Sequence, residues 1–238
     1  MEPSRATPVT KRNVLLDSLS DSQYEQLVKS GETCTLSART MIAESGATLD
    51  YVYFPESGFA SMVVPLENGS AVEAITVGYD GFVGLPIYLG ETSTLTRTMI
   101  QVTGLFHKIP KETFLRLVEK NDAVRQRVHQ YAQITLETLS QSSACNRFHS
   151  IEQRCARWLL ISHDRALSDD FELTQEFLSQ MIGVRRPGVT VAASTLQHAG
   201  LISYKRGHMH ILDRKGLEAV ACECYSRIKE REKKIFRA

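Results

Sequence analysis

The chain has no uninterrupted apolar stretch approaching the ~20 residues needed to cross a bilayer, and its start, MEPSRATPVTKR, lacks the apolar core of a secretory signal. A cytoplasmic location is therefore expected. Cysteine is scarce: the five present, Cys34, Cys145, Cys155, Cys222 and Cys224, are odd in number and scattered, which argues against a disulfide framework and for a reducing compartment. Cys222 and Cys224 stand two apart on an expected helix, so their side chains should diverge, a poor arrangement for a shared metal. No metal site is expected. Internal repeats, low-complexity tracts and a Pro/Gly-rich linker are also missing. Net charge is almost absent, +1, with 42% hydrophobic and 23% charged residues, the balance of an ordinary globular protein. At 238 residues the chain has material for two modest domains.

The small net charge conceals a division. Residues 1 to 150 carry 13 Lys and Arg against 16 Asp and Glu, whereas residues 151 to 238 carry 15 against 11. A modest positive excess thus sits in the C-terminal part, the sign that attraction to phosphate requires. Enzyme chemistry finds no support. No local pattern pairs a cysteine with a histidine as nucleophile and base, and His208 and His210 offer too few ligands for a stable metal site.

Residues 1 to 12 read as a flexible arm, followed by short helices over Asn13 to Leu19 and from Ser20, where Ser20 and Gln23 form a capping-box pattern. From Thr33 to Ile109, runs rich in β-branched and aromatic residues recur between turn signals: TCTL, TMIA, YVYF, GFASMVV, AVEAITV, TRTMIQV and LFHKI. Asn68-Gly69 marks a hairpin between two of them. Such strands predict a β-barrel or jelly roll, making the chain an α+β protein. Pro110 closes the β region, a short helix follows, and a long one runs from Asp122 to His149. Its stripe Val124, Val128, Tyr131, Thr135, Thr138, Ser142 and Cys145 alternates steps of four and three, a weak heptad pattern expected to serve a dimer seam as well as the β domain. Leu136 and Leu139 fall on another face. Ser150 and Gln153 then cap a further helix.

The stretch FELTQEFLSQMIGVRRPGVTVAASTLQHAGLISYKRGHMHIL, Phe171 to Leu212, predicts two short helices, a tight turn and a hairpin. Thr174 caps the first helix, whose apolar face is Phe177, Leu178, Met181 and Ile182, and Gly183 ends it. The second begins around Arg185 to Pro187 and buries Val189, Ala192, Ala193 and Leu196, leaving Arg186, Thr190, Val191, Ser194 and Gln197 outside. Lys205, Arg206, Gly207 and His208 form a basic hairpin tip. A helix presenting arginine from its N-terminal half suits the major groove, and a basic tip suits phosphate.

In order and spacing the chain resembles the Crp/Fnr family of bacterial transcription regulators, most specifically over LTQEFLSQMIGVRRPGVTVAASTLQHAGLI and more weakly over VGYDGFVGLP, which is similar to the family's effector-binding β-roll segment. The resemblance implies a β-roll sensor domain at 13–120, a long dimerisation helix at 121–149 and a winged helix-turn-helix at 150–238. It implies a homodimer on pseudo-palindromic double-stranded DNA, with RNA polymerase as a further partner. It places Arg186 and Thr190 in base readout, and Thr174, Gln175, Arg185, Lys205, Arg206 and His208 at the DNA backbone. Pro187 and Val191 stand where relatives carry a glutamate and an arginine, so the preferred site should differ from the familiar ones. In the sensor, an effector pocket would involve Gly81, Gly84, Leu85, Arg97 and Thr98. Leu85 replaces the ribose-binding glutamate, so cyclic AMP is not expected as the effector, and a small-molecule effector remains unidentified. The cysteines of an iron–sulfur sensor are missing and no residue recommends haem. The competing expectation is a ligand-binding module whose helix-turn-helix contacts protein.

Overall fold

The computed structural model describes residues 13–17 and 19–236, so the expected N-terminal arm lies outside the described residues. In place of the helix expected from Asn13 to Leu19 there is a turn at 14–17. Buried Asn13 explains it. Its amide donates to Pro55 O (3.1 Å) and Gly81 O (2.7 Å), and its Oδ1 accepts from the Leu15 N–H, satisfying the backbone without a helix. Helix α1 (Asp21–Lys29) opens behind the expected box, with Ser20 N–H on Gln23 Oε1 and Gln23 N–H on Ser20 Oγ.

All seven apolar runs are strands: β1 (Glu32–Leu36), β2 (Met41–Ala43), β3 (Tyr51–Pro55), β4 (Phe59–Pro65), β5 (Ala71–Val77), β6 (Arg97–Val102) and β7 (Gly104–Pro110). They form two antiparallel sheets, ordered β1-β7-β3 and β2-β6-β4-β5, packed across Ala60, Ile75, Ile100 and Phe106. At the β4–β5 hairpin Gly69 takes the left-handed conformation (φ 80°) and the Asn68 side chain accepts from the Ser70 N–H, which is why Asn-Gly turns the chain there. Helix α2 (Leu85–Tyr88) interrupts the connection between β5 and β6.

Helix α3 (Lys111–Lys120) is followed by α4 (Asp122–Phe148), which Asn121 caps by accepting from the Ala123 and Val124 N–H groups. Phe54, Phe82, Phe114 and Tyr131 form one aromatic cluster, ring centroids 5.0–6.0 Å apart, that seats α3 and α4 on the β-roll. Of the two roles expected of the α4 stripe, the structure shows the packing on the β domain. Val124, Val128 and Tyr131 of the heptad stripe are buried within the chain itself against the core that holds the aromatic cluster, and Cys145 is buried against Cys222 and Cys224. The exposed apolar residues of α4 are Leu136 (67%), Leu139 and Phe148.

The C-terminal region comprises α5 (Ile151–Ala166), β8 (Asp170–Glu172), α6 (Gln175–Ile182), α7 (Arg186–His198), β9 (Ile202–Lys205), β10 (His208–Ile211), α8 (Arg214–Val220) and α9 (Cys224–Phe236). Ser150 and Gln153 form the capping box of α5. Strand β8 extends the expected hairpin to a three-stranded sheet, β8-β10-β9, through Phe171 opposite Met209. Trp158, Leu159, Leu178, Val189, Leu196, Ile202 and Met209 make the core, each burial contributing about 1.5–3 kcal/mol before the entropy of ordering is subtracted. Helix α9 returns antiparallel along α4, with Arg231 on Glu137 and the Arg127 guanidinium on Phe236 O.

Candidate nucleic-acid interface

Helix α6 starts where Thr174 Oγ1 accepts from the Phe177 N–H at 3.1 Å. It ends at Gly183, whose left-handed backbone (φ 61°) alone favours glycine. A Cβ there would also come within 2.8 Å of Val72 Cγ2 on β5, so the turn between the two helices abuts the β-roll. The guanidinium of Arg154, on α5, donates to Ile182 O, placing a cation at the negative end of α6. Helix α7 buries Val189, Ala192, Ala193 and Leu196 as its periodicity requires. Arg185, Arg186, Pro187, Thr190, Val191, Ser194 and Gln197 face solvent.

Side-chain hydrogen bonds hold the exposed groups in one rigid unit. The Thr190 hydroxyl lies 2.9 Å from Gln175 Oε1 and 3.1 Å from Arg186 O, joining α7 to the first turn of α6. Gln197 Oε1 accepts from the Tyr204 N–H at 2.7 Å, joining α7 to β9. At the hairpin tip Arg206 (φ 52°) and Gly207 (φ 82°) make a two-residue turn that leaves Lys205, Arg206 and His208 exposed. Gly207 O accepts from the Leu173 N–H at 2.8 Å, bringing that tip beside Thr174. Among the described residues no ion pair engages Arg185, Arg186, Lys205 or Arg206. The α7 N-terminal half and the hairpin tip thus present positive charge from one unit, beside an α6 start whose first turn carries Glu176.

Residues 153–220 match the model of the Crp-like helix-turn-helix domain. This segment is a Crp-like helix-turn-helix domain. No curated protein sequence matches the chain. In fold it is similar to FixK2 from Bradyrhizobium japonicum (TM-score 0.68, 14% identity, 81% of this chain and 98% of that one). It is similar as well to the c-di-GMP responsive global regulator CLP of Xanthomonas campestris (0.63, 15%, 81% and 99%). A Crp/Fnr-family transcriptional regulator from Thermus thermophilus gives 0.63 at 20% identity, over 80% and 98%. The whole chain therefore has the architecture of Crp/Fnr regulators: β-roll, long helix and Crp-like domain.

In the β-roll, the residues nominated for an effector pocket are each engaged within the chain. Gly81 abuts the Tyr131 ring, where a Cβ would come within 2.4 Å, and Gly84 (φ 117°) caps α2 against Val52. Leu85 packs on the aromatic cluster, Arg97 pairs with Glu44 at 3.8 Å, and Thr98 is buried in β6. A cleft lies instead between β5 and the Crp-like domain, lined by Glu73, Thr76, Asp80, Arg157, Arg165 and Glu232.

Charged contacts cross that cleft. Arg165 of α5 grips Asp80, with Nε on Oδ1 at 3.0 Å and Nη2 on Oδ2 at 2.8 Å, and also donates to Thr76. Burial pushes the Asp80 carboxyl up, but the Arg165 charge and hydrogen bonds outweigh it and hold the group below the usual carboxylate range. Glu73, on β5, accepts from Trp158 Nε1 at 2.8 Å and Ser61 Oγ at 2.6 Å. Its burial outweighs those two hydrogen bonds and the charges of Arg165 and Arg157, raising its carboxyl to about 7. Sequence reading missed this junction: Asp80 stands inside VGYDGFVGLP, but Arg165 lies in no motif and the two are paired only by docking.

Among the described residues no helix is long and apolar enough to cross a membrane. The structure also corrects the expectation for Cys222 and Cys224. They do not share a helix: α8 ends at Val220, Ala221 turns to an extended conformation, and Cys222 precedes α9. Both sulfurs converge on Cys145 and His149 at the end of α4.

Proposed function

We propose that the protein is a sequence-specific DNA-binding transcription regulator of the Crp/Fnr type, acting as a homodimer on a pseudo-palindromic site and, at promoters, on RNA polymerase. One observation carries it: exposed Arg185 and Arg186 at the start of α7 stand on the same rigid Crp-like unit as the basic hairpin tip. Arg186 reads a base, with guanine the natural partner for a bidentate guanidinium, and Thr190 lies one turn further along the same helix. Val191, 60% exposed, suits a thymine methyl, a contact that relatives with arginine there would not make. Arg185, Lys205, Arg206 and His208 contact backbone phosphates beside the α6 N-terminus of Thr174 and Gln175. Thr174 acts there through the backbone N–H groups it orders, its own hydroxyl being the cap.

The dimer forms along the exposed α4 face of Leu136 and Leu139, placing two recognition helices about one helical turn, ~34 Å, apart. The β-roll receives a signal other than cyclic AMP and transmits it through the Asp80–Arg165 junction. Selection of bound sequences from a random duplex library tests the proposal. Enrichment of a two-fold-symmetric site with salt-dependent affinity is expected. Recovery of no sequence above background would overturn it and favour a protein-binding role.

A further inference from the structure

Four side chains that no part of the DNA-binding surface uses meet where α4 ends. Cys145 lies in the last turn of α4 and His149, four residues on, caps its end, while Cys222 and Cys224 flank the start of α9. Their ligand atoms all lie within 4.8 Å of one another. Cys145 Sγ is 3.5 Å from Cys222 Sγ, and His149 Nδ1 is 3.5 Å from Cys224 Sγ. A tetrahedral zinc ion with Zn–S bonds of ~2.3 Å sets its ligands roughly 3.8 Å apart, so small side-chain shifts close the shell. The three cysteines are buried, and the cluster is apart from the main hydrophobic cores.

The surroundings point the same way. His149 Nε2 lies 3.1 Å from Glu223 Oε2, so a carboxylate fixes the ring with Nδ1 turned to the sulfurs, the usual support of a metal-bound imidazole. Gln141 Nε2 donates to Cys224 Sγ at 3.0 Å, a hydrogen bond that stabilises a thiolate. From the geometry we infer that Cys145, His149, Cys222 and Cys224 bind one thiophilic divalent cation, zinc, as a Cys₃His site. Binding releases three thiol protons, leaving three thiolates and a neutral imidazole on Zn²⁺, a net charge of −1, which the guanidinium groups of Arg154 and Arg157 offset electrostatically. Four ligand atoms this close suit a single ion better than a cluster of several irons, which holds its thiolates further apart. The ion ties together the end of α4, the His149–Ser150 joint into the Crp-like domain and the start of α9.

The reduced full-length chain, stripped with chelator, should take up about one Zn²⁺ or Co²⁺ per chain, cobalt giving the intense thiolate charge-transfer and tetrahedral d–d bands of a sulfur-rich site. Cys222→Ser combined with His149→Ala should abolish uptake, whereas Cys34→Ser, in β1, should leave it unchanged. Glu223→Gln, at an exposed position that threatens no core, should weaken affinity roughly 10–100-fold. A flat titration of the reduced native chain overturns the proposal, as does uptake that survives the double substitution. A Cys145–Cys222 disulfide found by mass in the chain isolated under reducing conditions would overturn it equally.

Discussion

At the scale of single residues, the two arginines that open α7 and the two carboxylates at the β-roll junction carry opposite lessons. Arg186 is exposed, unpaired and on the first turn, which is how it was expected to stand. Arg186→Ala should cost about 1–3 kcal/mol of DNA affinity and relax preference at one base position, whereas Lys205→Ala should weaken all sequences alike and flatten the salt dependence; competition binding at two ionic strengths separates the two. Glu73 and Asp80 could not be told apart in sequence, since both are acidic residues of the β region. Asp80, depressed by Arg165, contributes stability that is present above the unfolded pKa and lost on acidification. Glu73, raised to about 7, acts in reverse: between its unfolded value of 4.5 and 7 the folded state holds more protons, so stability falls as pH rises. Glu73→Gln should remove that loss and stabilise the chain above pH 7 by roughly 1–2 kcal/mol, allowing for partial solvent access, as urea denaturation at pH 5 and 8 would read.

Elements were legible where local chemistry decided them. The strands, the capping boxes at Ser20 and Ser150, the Thr174 cap and the Gly183 turn follow from β-branching, hydroxyl caps and left-handed glycine, all effects within a few residues. Thr174→Ala should cost about 1 kcal/mol of stability by chemical denaturation and loosen the α6 start. Elements misled where a face had to choose its partner. The α4 stripe fits a heptad, yet the core around Phe82 and Phe114 claims its first half, and the large apolar side chains that α4 leaves exposed are Leu136, Leu139 and Phe148, of which the first two stand mid-helix for a second copy. Leu136→Asp with Leu139→Asp should therefore shift the protein to monomer by light scattering without lowering its melting temperature appreciably, because these side chains already meet water within the chain. Unfolding of the double variant would show that they support the chain itself. The break between α8 and α9 was likewise invisible, since no glycine or proline marks Ala221 to Glu223.

For the whole molecule, the decisive contacts join segments 77–109 residues apart: Arg165 with Asp80, Trp158 with Glu73, Cys145 with Cys222, Arg127 with Phe236. Arg165→Ala removes the ion-pair partner of Asp80 in a largely buried place, leaving the more distant Lys229 as compensation, and should destabilise the docked arrangement by about 3–5 kcal/mol. Asp80→Asn with Arg165→Gln should recover part of that loss, and limited proteolysis near the α5 end would report the loosening. What sequence alone determined about this protein is the order of its elements and the exposed face of α7, because period, caps and turn residues act locally. Tertiary structure decided which face of α4 is spare, which carboxylate titrates near neutrality and which cysteines meet. Those depend on distances between residues that the chain separates by many tens of positions, and on burial that only docking creates.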